Sequence, residues 1–181
     1  MSVLHDEPPV GIAAEDTPGS GVAFIDVEAS GLGPYSWPIE VGWAFHGQAP
    51  RSVLIRPADG WPMQAWEKPA EALHGIAPDR LLAEGRDPLD VALGLNAALG
   101  QATVYSDAPD YDSFWLFRLY DAAGVRPNYR LADLGDLLRP LWDGEPDDLV
   151  RQASETAPHT HRAADDVRHL QVMYEIALSA R

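Results

Sequence analysis

Apolar residues follow two rhythms along this chain. Val22 to Asp26, Ile39 to Phe45 and Arg51 to Ile55 are short runs rich in β-branched and aromatic residues, the pattern of buried strands. Gly47 to Pro50 suits a hairpin connection between the second and third, and Pro57 to Met63, punctuated by Asp59-Gly60, reads as turns. Leu73 to Asp79 breaks and restarts structure. Beyond it the period lengthens to that of a helix: Pro88 to Leu99, then Asp112 to Ala123 ending at Gly124, then the C-terminal stretch. Thr103 to Ser106 and Tyr129 to Ala132 interrupt the helices as two further short strands. Three strands followed by helices alternating with two more predict one α/β domain on a mixed sheet.

The same patterning singles out acids in unusual places. Asp26 and Glu28 stand two residues apart at the end of the first strand, so a continuing strand turns both side chains to one face. Ser30-Gly31-Leu32-Gly33-Pro34 then forces a turn. In the C-terminal helix Ala163, Asp166, Leu170 and Met173 share an inward stripe, whereas Asp165, Arg162 and His169 fall on a more polar face. Asp112 precedes Trp115, Leu116 and Leu119 by three, four and seven and so lies on the core face of its helix. An inward carboxylate needs a partner, because a bare buried charge is costly. A divalent cation, a cap or a salt bridge would each supply one. Asp107, directly after a strand, competes with Asp112 and could instead cap the helix or position substrate. His161, at the entrance of the last helix, is placed to take a proton from water.

Composition changes the picture in one respect. The 181 residues suffice for a full core, with 46% hydrophobic and 23% charged residues. Without cysteine, disulfides and thiolate metal sites are excluded. No apolar run approaches a membrane span. Residues 1–20, with Asp6, Glu7, Pro8, Pro9, Glu15 and Asp16, read as a flexible tail rather than a signal peptide, leaving 21–181 as the domain and the cytoplasm as the expected location. The informative number is the net charge of −15. Long nucleic acid is gripped mainly by neutralising its phosphates. A chain with a single lysine, Lys68, is poorly equipped for that, even though eight of its arginines fall from Arg118 onward.

With those residues placed, the chain resembles the DEDDh branch of the 3′→5′ exonuclease superfamily. Phe24-Ile25-Asp26-Val27-Glu28-Ala29-Ser30-Gly31-Leu32 is similar to its first motif, and Ile39-Glu40-Val41-Gly42 to the strand that follows. Leu73-His74-Gly75-Ile76 resembles a recurring non-catalytic turn. Tyr111-Asp112-Ser113-Phe114-Trp115-Leu116 is similar to the second motif, and His161-Arg162-Ala163-Ala164-Asp165-Asp166 to the third. Each motif is weak, but they come in the family's order from about residue 22 to the C-terminus. One departure is Asp107, where the family usually has asparagine. Another is the loop Pro34-Tyr35-Ser36-Trp37-Pro38, whose rings either stack on a terminal base or pack, packing being preferred.

The resemblance implies a ribonuclease-H-like exonuclease fold, a mixed five-stranded sheet flanked by helices. It implies two Mg²⁺ or Mn²⁺ ions about 4 Å apart around the scissile phosphate. Asp26 would bridge them, Glu28 and Asp166 would complete one site, Asp112 would hold the other, and His161 would act as base. Leu32, Ser30 and Asp107 would contact substrate. The implied activity is release of nucleoside monophosphates from the 3′ end of short single-stranded RNA or DNA, with RNA modestly preferred. A homodimer is compatible with it. Two alternatives stay open: a binding module that kept the fold without turnover, and a proofreading module that works beside a polymerase.

Overall fold

The computed structural model describes residues 21–181; the N-terminal tail expected from the sequence lies outside the described residues. Five strands form one sheet in the order β3-β2-β1-β4-β5, with β1 Ala23–Ala29, β2 Pro38–Phe45, β3 Arg51–Leu54, β4 Thr103–Ser106 and β5 Arg130–Asp133. The first three pair antiparallel, while β4 joins β1 and β5 in parallel, which makes the sheet mixed as the element order predicts. Seven α-helices flank it among the described residues: α1 Lys68–His74, α2 Pro78–Glu84, α3 Pro88–Leu99, α4 Pro109–Ala123, α5 Leu134–Leu138, α6 Pro146–Ser154 and α7 Ala163–Ser179. None of them is long and apolar enough to cross a membrane.

Strand β1 shows why the sheet has two covered faces. Its side chains alternate, as the two-residue period of a strand requires. Ile25 and Val27 join Leu95 and Leu99 of α3 and Trp115 and Leu119 of α4 in one core, while Phe24 packs with Leu138, Leu149 and Leu170 on the opposite side. Asp26 and Glu28 continue the Phe24 face, so the acids emerge where the second core ends.

Two boundaries differ from the sequence expectation, each for a physical reason. β1 runs on to Ala29 because Asp26 and Glu28 pair in register with Gly42 and Glu40 of β2, and the strand stops only at an irregularity after Glu28. α4 begins at Pro109, three residues before Asp112, since proline at the first helical position loses no hydrogen bond. It ends at Gly124, whose φ of 67° is the left-handed conformation that closes a helix.

Packing also decides the loop Pro34 to Pro38. Trp37 is fully buried, stacked on Trp61 with ring centroids 5.5 Å apart, and its Nε1 donates to the Pro62 carbonyl at 3.2 Å. Tyr35 alone of that loop's rings faces outward.

Candidate active site

The acids named from the sequence come together at the carboxyl end of β1. Asp26 and Glu28 arrive on the strand, Asp112 from the first turn of α4, and Asp166 from the first turn of α7. Asp112 and Asp166 are 2% and 4% exposed, so both helical facings predicted above hold. All four line one cleft of about 420 Å³, together with His161, Asp107 and Leu32. Ligand atoms of Glu28, His161 and Asp166 all lie within 4.8 Å of one another.

The electrostatics of the cleft are those of a site short of positive charge. Burial pushes the Asp26 carboxyl well above the usual range, and the nearby Asp112, Glu28, Asp166 and Asp107 push it further. Burial, then Asp166 and Glu40, raise Glu28 to about 7. Asp112 is raised by burial, Asp107 and Glu28, although the Ser106 hydroxyl donates to its Oδ2 and opposes the shift. Asp166 behaves differently. Burial would raise it too, but His159 at 3.4 Å and the Thr160 N–H at 2.9 Å hold it below the ordinary carboxylate value.

Asp26 Oδ2 is buried without any hydrogen-bond partner. An orphaned carboxylate oxygen among three other carboxylates is what a hard divalent cation would satisfy, since Mg²⁺ and Mn²⁺ take oxygen ligands. The residues present therefore fit a divalent cation, with Asp26, Glu28, Asp112 and Asp166 as oxygen donors and the His161 imidazole beside them.

The loop in front of α7 is held by residues that sequence reasoning passed over. Glu40 is buried in β2 and takes Arg162 in a two-pronged pair, Nε to Oε2 and Nη2 to Oε1, both at 2.9 Å. It also accepts from the Ala163 N–H at 3.2 Å and the Ser52 hydroxyl at 2.8 Å. Burial works against its charge, but Arg162 and Ser52 keep the carboxyl below its ordinary value. Gly42 lets α7 approach, because a Cβ there would collide with the Ala163 carbonyl. Held in this way, the chain carries His161 at a φ of 55°, an uncommon conformation for a residue with a side chain. The one legible signal was an acid at the centre of an otherwise apolar strand, Ile39-Glu40-Val41.

Glu40→Ala is expected to lower stability by about 3 kcal/mol, the lower end for breaking a buried pair because Arg162 keeps some solvent contact. Denaturant unfolding with far-UV circular dichroism measures it. Stability within about 0.5 kcal/mol of wild type would mean that β2 does not anchor the loop.

Several sequence readings change here. His169 is not on a solvated face: it is fully buried, its Nδ1 2.7 Å from the Ala157 carbonyl, because the 155–160 loop folds back over that side of α7. The carbonyl can only accept, so Nδ1 carries the proton. His159 lies against that ring, tilted 39° with centroids 3.9 Å apart, and reaches toward Asp166 and Asp107, which raise its pKa, the Asp166 hydrogen bond most. No spacing rule marked it out among neighbouring histidines. Asp107 does not cap α4, whose N-cap is Ala108; it lines the cleft instead, and the Ser106 hydroxyl takes the Ala108 N–H at 3.0 Å. Ser30 is fully buried and does not line the cleft; its hydroxyl accepts from the Trp37 N–H at 3.0 Å and donates to the Ala65 carbonyl at 3.4 Å, contacts that hold the turn after β1. Leu32 is 68% exposed, and Tyr111, which lines the same cleft, is half exposed and stacked on Trp115 at 5.6 Å.

Comparison with solved structures gives the fold its relatives. Zinc-bound E. coli exonuclease I with single-stranded DNA superposes with a TM-score of 0.67 and 18% identity, over 88% of this chain and 40% of that one. The same enzyme in complex with a dT13 oligonucleotide gives 0.65 and 17%, over 86% and 40%. A product-bound exonuclease I gives 0.63 and 18%, over 88% and 43%. The chain spans about two fifths of those structures' length. No protein-family model and no curated protein sequence matches it. The mixed five-stranded α/β fold is thus that of the exonuclease I structures.

Proposed function

We propose that this chain is a metal-dependent 3′→5′ exonuclease that removes nucleoside 5′-monophosphates from single-stranded nucleic acid. The observation that carries the reading is the convergence of Asp26, Glu28, Asp112, Asp166 and His161 in one cleft, with Asp26 Oδ2 buried and unpartnered. That the solved structures of like fold include exonuclease I bound to single-stranded DNA supports it.

Asp26, Glu28, Asp112 and Asp166 would hold the Mg²⁺ or Mn²⁺. Bound there, such cations supply Lewis-acid polarisation of the phosphoryl group and a low-pKa water. The protein's own contributions are positional. Leu32 and Tyr111, at the rim, take the terminal nucleotide by apolar contact. Ser106 fixes Asp112, and His159 with Thr160 fixes Asp166. His161, exposed at the mouth yet within ligand distance of Glu28 and Asp166, accepts the proton of the attacking water. Water adds to phosphorus, the bond to the upstream 3′ oxygen breaks, and that oxygen stays on the shortened strand as its new 3′ hydroxyl, taking its proton from solvent while His161 releases the one it accepted.

The test is a digestion ladder of 5′-labelled RNA and DNA strands with Mg²⁺ or Mn²⁺. Bands should shorten one nucleotide at a time from the 3′ end, RNA modestly faster, and EDTA should stop the reaction. Cleavage of a circular single strand would defeat the exonuclease reading.

A further inference from the structure

On the far side of Asp107 from the cleft lies a second cavity that nothing in the acid cluster uses. It holds about 360 Å³ and is walled by Leu134, Leu138, Trp142 and Met173, with Arg139 and Asp107 among its polar lining. Asp107 belongs to both cavities. The two lie side by side at the carboxyl ends of parallel strands, since Asp107 follows β4 and Asp133 ends β5. Crevices at such strand ends are the usual ligand sites of α/β sheets.

Trp142 is fixed in this cavity. Its Nε1 donates to the Glu145 carbonyl at 3.0 Å. Gly144 packs directly against the indole, and a Cβ on it would stand 2.9 Å from Cε2 and Cζ2. Here glycine is required by closeness to the ring, not by backbone conformation. An indole held at its nitrogen and backed by main chain loses little entropy on receiving a flat partner.

We infer that this cavity is a subsite for the base of an upstream nucleotide of the same single strand, stacked on Trp142, with Arg139 reaching its phosphate. The inference rests on the exonuclease reading for its substrate. Leu32, Tyr111 and the acids line one cleft and Asp107 lines both cavities, so a strand longer than the terminal nucleotide can extend past Asp107 into the second. Charge favours stacking here over phosphate capture. With a net charge of −15 and a single lysine the chain is poorly supplied with groups that neutralise phosphates, whereas every base has a face to stack, whatever its identity. Asp133 also lines the cavity, its Oδ1 accepting from the Gly135 N–H at 2.7 Å as the cap of α5, and its charge favours an uncharged base there over a phosphate. Arg139 now pairs with Asp136 at 3.1 Å, but both are well exposed and such pairs hold weakly, so the guanidinium is available to a phosphate.

The experiment measures binding, so it does not depend on turnover. A 5′-fluorescein pentathymidylate and thymidine 5′-monophosphate are titrated against wild type, Trp142→Ala, Trp142→Phe and Gly144→Ala, with Ca²⁺ as the cation. Trp142→Ala should weaken the pentanucleotide about tenfold, as loss of one stacked base does, and leave the monophosphate unchanged. Trp142→Phe should restore most of the affinity, and Gly144→Ala, which displaces the indole, should copy the alanine effect even if Trp142→Ala folds poorly. Pentanucleotide affinity within twofold of wild type in both Trp142→Ala and Gly144→Ala would overturn the subsite, as would equal weakening of both ligands. Trp142-dependent binding without hydrolysis would uphold the subsite and count against the enzyme; a full 3′ ladder with Trp142-independent binding would do the reverse.

Discussion

Asp26→Asn will reduce hydrolysis of a labelled single strand by at least about 10³-fold, because a cation held at this carboxylate would supply several kcal/mol of transition-state stabilisation. The fold should survive, and the metal-free variant should be more stable than wild type. The sign follows from linkage. Asp26, Glu28 and Asp112 all titrate higher in the folded protein than in the unfolded chain, Glu28 at about 7. Their favourable contribution is therefore complete at low pH and is lost as pH rises through the folded values. In EDTA the melting temperature should fall from about pH 5 to above pH 7, and less steeply in Asp26→Asn. Adding Mg²⁺ should raise it, more at high pH than at low. Asp166 and Glu40 have the opposite sign, so their contribution disappears only below about pH 4. A wild-type melting temperature in EDTA that climbs between pH 5 and 8, or ignores Mg²⁺, would mean these carboxylates do not form a cation site.

His161→Asn should slow turnover by about 10²- to 10⁴-fold, the range for a positioned general base. Its side chain lies beside Glu28 and Asp166, so a ligand role is the competing explanation. The two separate in one measurement. A base leaves the Mg²⁺-dependent melting shift as in wild type while the rate collapses. A ligand loses both together, and that outcome would reassign His161. The left-handed backbone at this position tolerates asparagine better than most residues, so the substitution tests the imidazole rather than the loop.

These residues were not equally visible in the chain. Asp26 and Glu28 were legible because a strand's two-residue period puts them on one face whatever surrounds them. Asp112 and Asp166 were legible because three- and four-residue spacing to apolar neighbours fixes which way a helical side chain points. His169 shows where that logic stops. Its place on α7 relative to Arg162 and Asp165 marked a polar stripe, yet a loop from the preceding turn covers it, and no periodicity within one helix reports what folds over it. Ser30 was hidden for a related reason: its nearness in sequence to Glu28 and Leu32 said nothing about the Trp37 N–H and Ala65 carbonyl that its buried hydroxyl bonds.

The sequence by itself determined the strand-and-helix order, the mixed sheet, the inward direction of four carboxylates and the scarcity of positive charge. All of these follow from local spacing and composition. Only the tertiary structure decided that the acids share one cleft, that Glu40 and Arg162 clamp the loop bearing His161, that Asp166 is held by His159, and that Asp107 divides the cleft from a cavity walled by Trp142. Most of those depend on residues far apart in sequence meeting in space, as Glu40 and Arg162 do across 122 positions, and even the His159–Asp166 contact depends on how the intervening loop folds. A local pattern can aim a side chain, but what it meets is set by the packing of the whole chain.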